Sequence, residues 1–161
     1  MEKRALIEKA ETLISHAKFN AIGSLVPTLN NLPTLQINPA LWDTAVTVAG
    51  IFIAQISLNK LHASEDIKNE IRGIIHNRAK EWDEFSLELL DDCKYKFNQD
   101  LERLSQLDSY KKESKFLLSD ALGNWIAWNV LQHQPTTNEE RELIRHIGGF
   151  VVHFMVDYWE I

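Results

Sequence analysis

Four side chains late in the sequence are of the types that metal or acid–base sites use. Glu142, His146, His153 and Asp157 recur at spacings that put them on one narrow face of a helix, opposite Leu143, Ile147, Val151, Phe154 and Tyr158. Imidazole and carboxylate are common ligands of zinc and iron, and imidazole titrates near neutrality. The spacing argues against one shared ion. His146 and His153 are seven positions apart, which separates them by roughly 10 Å along a helix axis. The Glu-x-x-His pairs of di-iron bundles are absent as well. Two local pairs are expected instead, Glu142 with His146 and His153 with Asp157. No metal and no cofactor is expected.

A second concentration of chemistry is the stretch "EWDEFSLELLDD", residues 81–92, with six carboxylates and no Lys or Arg. Read as one helix, it puts Glu81, Glu84, Glu88, Asp91 and Asp92 within about a third of the circumference. Trp82, Phe85, Leu89, Cys93 and Phe97 fill the adjoining apolar sector. Lys80 can pair with Glu84 and Lys96 with Asp92 at four residues' distance, which leaves Glu81, Glu88 and Asp91 without an opposite charge on the same helix. Such a face is either simply solvated or a docking surface for a basic protein, where clustered carboxylates speed encounter. A row along a helix rises too far per residue to wrap one metal ion.

Other chemistries find no support. The sequence has no Gly-x-Ser-x-Gly turn, no Gly-rich phosphate loop and no Cys-x-x-Cys. Cys93 falls on an apolar face and is expected to be an inert core thiol. The five Trp fall at helical spacing and are expected to fill the core. An aromatic pocket, with His133 or His153 as a haem ligand, is the alternative.

The elements that would position these residues all read as helices. Apolar periodicity predicts a first helix over about residues 2–20, with Leu6, Ala10, Leu13 and Ala17 on one side. A second follows "NPALW", capped by Asn38 with Pro39 at its first position, and runs to about Leu61. A third opens at Ser64 and runs to about Lys80, either ending there before a separate helix or continuing unbroken through the acidic stretch to about Leu107. Another covers about residues 110–132, and the last opens on Thr137 with Glu140 in capping-box spacing. Residues 21–38 read as a Pro-containing apolar loop, with the near-repeat "VPTL" and "LPTL". Its leucines are expected to fold back over the bundle; meeting a partner is the alternative. Gly148-Gly149, Gly123 and Gly50 suggest close helix packing.

The whole reads as a single all-α domain over residues 1–161, an antiparallel bundle of five or six helices. Residues 44–58 carry no charge, but the window is short for a membrane span and reads as a buried helix. The net charge of −6 argues against binding nucleic acid or an anionic membrane. A single Cys and an opening stretch without a signal-peptide pattern lead to the expectation of a cytoplasmic protein. Size, acidity and missing chemistry together favour non-catalytic protein binding. The physical type is that of a small acidic inhibitor of a basic effector, as toxin-immunity proteins are, docking through Glu81, Glu84, Glu88, Asp91 and Asp92. A ligand- or metal-binding bundle enzyme or sensor using His146, His153 and Asp157, and a homo-oligomeric scaffold, are the other classes.

Overall fold

The structure, a computed structural model, describes residues 2–160, which contain seven helices and no strand. They are α1 (Lys3–Asn31), α2 (Pro39–Leu58), α3 (Glu65–Trp82), α4 (Ser86–Ser105), α5 (Asp108–Lys112), α6 (Leu117–Leu131) and α7 (Asn138–Met155). The all-α bundle expected from periodicity is what forms. Seven helices form where five or six were expected, because the acidic stretch divides α3 from α4 and the helix expected over 110–132 is split into α5 and α6.

α2 is the centre. Every residue from Ala45 through Ala54 is buried, and α1, α4, α6 and α7 all pack on it. The helix is long and apolar enough to cross a membrane, but protein covers 67% of its most apolar window. The Asn38 side chain accepts from Ala40 N–H at 2.8 Å, and Pro39 opens the helix. Ser64 caps α3 through Ile67 N–H, and Thr137 with Glu140 forms the full capping box of α7.

The first helix runs eleven residues beyond its expected end at Asn20, to Asn31, with Pro27 inside it. A proline there removes one backbone hydrogen bond and crowds the carbonyl four residues back. That carbonyl belongs to Gly23, and both Gly23 and Pro27 are exposed, so the vacated acceptor is open to solvent. Thr28, Leu32 and Leu35 beyond the proline are buried, which holds the extension down. The expected loop at 21–38 therefore contracts to residues 32–38, and its two halves of the near-repeat have different structures. "VPTL" lies in the helix and "LPTL" in the turn. The leucines do cover the core: Leu32 and Leu35 are buried and Leu29 packs on it, while Val26 points to solvent.

The second correction falls on the acidic stretch, which is a corner rather than a helix. Asp83 leaves helical geometry at φ −155°, ψ 126°. Its Oδ1 accepts from Phe85 N–H at 2.8 Å, and the Ser86 hydroxyl donates to Ala79 O at 2.5 Å. The Asp83 side chain thus takes a backbone N–H that would otherwise continue the helix, and the Ser86 hydroxyl ties the new turn to Ala79 O, which keeps its helical bond from Asp83 N–H. The expected helix over 110–132 is likewise split into α5 and α6 by residues 113–116.

α6 and α7 form the most extensive helix pair, and glycine is the reason. A Cβ on Gly123 would sit 1.8 Å from Ile144 O, and one on Gly148 1.9 Å from Ser119 O. Only bare backbone fits at this crossing. Gly149 has open space where its Cβ would be, and Gly50 meets Ala17 Cβ at 3.2 Å.

Three of the five Trp fill the core, each indole N–H bonded. Trp42 donates to Ala21 O at 2.9 Å, Trp125 to Asp92 Oδ2 at 3.0 Å, and Trp159 to Ala54 O at 2.7 Å. Trp82 is half-buried and packs against the core, while Trp128 is 46% exposed, against the core placement expected of it. The last turn is clasped to α1: Lys9 Nζ donates to Tyr158 O at 2.6 Å and Tyr158 OH to Lys9 O at 2.5 Å.

Candidate functional site

The glycine crossing fixes what lies one turn before it on each helix. Asp120 precedes Gly123 on α6, and Arg145 precedes Gly148 on α7. Arg145 Nε donates to Asp120 Oδ1 at 3.2 Å and Nη2 to Oδ2 at 2.8 Å, the paired geometry that guanidinium and carboxylate share. Tyr110 on α5 adds its hydroxyl to Oδ2 at 2.6 Å. Asp120 is almost wholly buried at 4% exposure, so these three bonds replace the water it has lost. The Arg145 guanidinium also lies 4.1 Å from the centre of the Phe116 ring, a cation–π contact that fixes its plane. Hydrogen bonding to Asp120 raises the Arg145 pKa. Burial, then the bond to the Asp120 carboxylate, raises that of the Tyr110 phenol.

This network forms the floor of a cleft of about 780 Å³. The end of α1 supplies Asn31 and Leu32, α4 supplies Arg103 and Leu104, and α7 supplies Arg141, Glu142, Ile144 and His146. Arg103 is held by Asp100, Nη2 to Oδ1 at 3.1 Å, and Asn124 donates to the other Asp100 oxygen at 2.6 Å. Beyond that bond lies a smaller groove of about 240 Å³, along Lys96, Trp125 and Trp128. Among the described residues Arg141 makes no ion pair and no side-chain hydrogen bond.

The histidines do not form the expected pairs. His146 Nε2 lies 3.1 Å from Thr28 Oγ1. Thr28 gives its own proton to Ser24 O at 2.7 Å, so it accepts from His146 and is not a nucleophile activated by it. His153 is exposed against the Phe154 ring, and Asp157 lies past the end of α7. Among the described residues the histidine–carboxylate contact is instead His133 Nε2 to Glu140 Oε2 at 3.2 Å, an ion pair only when the imidazole carries a proton on both nitrogens. Among the described residues no group of three or more His, Cys, Asp or Glu is arranged to hold a metal. Cys93 is fully buried, and desolvation, then the neighbouring Asp92, pushes its thiol pKa up.

The acidic residues are dispersed by the corner. Glu81 ends α3 and pairs with Arg78 at 3.2 Å. Glu84 sits in the turn, and Glu88 and Asp91 are on α4; all three are exposed. Asp92 faces inward, binding the Trp125 indole at 3.0 Å and Lys96 at 3.5 Å. Lys80 forms no ion pair with Glu84 among the described residues. Of the five residues expected to make one face, three remain free: Glu84, Glu88 and Asp91.

Sequence reasoning missed the cleft. One signal was present: Asp120 is a lone acid inside the otherwise uncharged run "LLSDALGNW", and such a residue, when buried, needs a partner. The chain matches no protein-family model, no curated protein and no solved structure.

Proposed function

We propose that the protein is a non-catalytic binding module whose ligand occupies the α4–α7 cleft. The observation that carries this is the Asp120–Arg145–Tyr110 network in the cleft of about 780 Å³, where polar groups converge from three helices beside an apolar lining. Leu32, Leu104 and Ile144 supply that lining. No nucleophile–base pair accompanies it: Thr28 is buried at 1% exposure and its proton is committed to a backbone carbonyl.

The test is to map small-molecule fragments onto backbone amides by two-dimensional NMR. Shifts should cluster at Tyr110, Asn124, Ile144 and Arg145. Clustering elsewhere on the molecule overturns the reading.

Glu84, Glu88 and Asp91, exposed and without an ion pair among the described residues, favour a second reading. In it the α3–α4 corner docks a basic protein, and the chain acts as an acidic inhibitor of the toxin-immunity type. Three carboxylates at one corner of a chain with net charge −6 would accelerate encounter with such a partner. Here the test is kinetic: association with a basic partner should slow when the three become Gln or Asn.

A further inference from the structure

The hydrogen-bond inventory of the cleft is unequal. Asp120, its buried carboxylate, already accepts three bonds, two from Arg145 and one from Tyr110. The guanidinium donors are far from used up. Each Arg carries five N–H bonds in a fixed fork. Arg145 engages Asp120 through Nε and Nη2 only, and Arg103 engages Asp100 through Nε and Nη2 only. In both, Nη1 has no partner among the described residues, and Arg141 has none there for any of its guanidinium nitrogens. Glu142 at the rim is the one lining carboxylate without a bonded cation. So the cleft offers unused guanidinium donors from three arginines, against one free carboxylate and the amide oxygens of Asn31 and Asn124, in a chain that is otherwise acidic.

Resting on the cleft reading, we infer that the ligand is a small organic oxyanion, a carboxylate or phosphate ester. Its charged oxygens are received between Arg141 and Arg145 on α7 and Arg103 on α4. Guanidinium suits this chemistry because two parallel N–H bonds match two oxygens of either group. Arg145 is the pre-set member, since Phe116 and Asp120 fix its plane before any ligand arrives. Arg141, exposed and unpaired, is the mobile one that closes on the ligand. At about 780 Å³ the cleft is far larger than a bare phosphate, so the carbon body lies on Leu104 and Ile144.

The experiment titrates inorganic phosphate, citrate and the neutral probe benzyl alcohol into the protein at constant ionic strength, following amide shifts. The same titrations are run on Arg141→Gln and Arg103→Gln, whose melting temperatures show that they stay folded. Phosphate or citrate should shift the amides of Arg141 and Arg145, and Arg141→Gln should weaken that binding about ten-fold, the loss of roughly one charge-assisted bond. A response to phosphate alone points to a phosphate ester, and to citrate alone a carboxylate. If benzyl alcohol maps to the cleft and neither anion does, the oxyanion inference falls and the cleft reading stands. Anion binding unchanged in both Gln variants also overturns the inference. If no probe reaches the cleft, both fall together.

Discussion

The α3–α4 corner and the α4–α7 cleft hold charge in opposite ways. The corner's carboxylates are contiguous in sequence but disperse in space: Glu81 turns to Arg78 and Asp92 turns inward to Trp125. The cleft's residues come from α1, α4, α5, α6 and α7, and two of them, Tyr110 and Arg145, converge on one buried Asp. Charge density along a chain is a statement about composition. Convergence is a statement about packing, and here two glycines with no room for a methyl group produce it.

The strongest way to break the comparison is to separate α6 from α7. Gly148→Ala places a methyl group on the Ser119 carbonyl, and should destabilise by about 3 kcal/mol or more, the upper end for overpacking. Its neighbour is the control. Gly149→Ala meets nothing and should stabilise by about 1 kcal/mol through helix propensity. Chemical denaturation of both variants would read opposite signs at adjacent positions. Equal effects would show that the glycine crossing does not hold the cleft.

Removing the network itself should cost less. Arg145→Leu leaves buried Asp120 with Tyr110 as its one remaining partner, an expected loss of about 1.5 to 3 kcal/mol. A change below about 0.5 kcal/mol in the denaturation midpoint would make the network dispensable, and the cleft no more organised than the corner.

A carboxylate belonging to neither region calibrates both. Backbone N–H groups of Thr137 and Thr136 hold the Glu140 carboxyl below its ordinary value of 4.5. Its contribution is therefore complete above about pH 4.5 and declines as pH falls through the lowered folded-state value. Glu140→Gln should flatten the acid side of the stability profile measured by thermal melts. An unchanged profile would show that the cap owes nothing to charge.

The smallest expected stability change is at the corner. Replacing Glu84 and Glu88 by Gln and Asp91 by Asn should move stability by no more than about 0.5 kcal/mol, as for exposed charges generally. Binding to a basic partner should nevertheless slow, the difference shrinking as salt is raised. Parent-like association rates in the triple variant would leave the corner as solvated surface. Unfolding of the variant would mean that these carboxylates are paired within the bundle.

What the sequence makes legible follows the range of the interaction. Asn38, Ser64 and Thr137 were readable as caps because each acts on residues within four positions. The buried course of α2 was readable because nothing charged interrupts it from Thr44 to Leu58. Asp83 and Ser86 counted as part of a helical surface because their identity fits one, while their competing bonds to the backbone decide the corner. Pro27 looked like a helix stop because the rule concerns the lost bond and not whether water can replace it. Asp120 and Arg145 are 25 positions apart, and nothing in their spacing states that two glycines bring them together.

The burial of α2 also has a consequence for synthesis. The helix is made early, but α6, α7 and the Trp159 indole that binds Ala54 O are all downstream of it. At common translation rates, on the order of 5 to 20 residues per second, α2 waits several seconds for its covering. During that interval it presents an apolar surface long enough to resemble a membrane-spanning segment. Clasps that join positions 149 residues apart, as Lys9 and Tyr158 do, cannot form any sooner. Of the helices that pack on α2, α1 alone precedes it, so the burial of α2 is complete only when the last helix and Trp159 are in place.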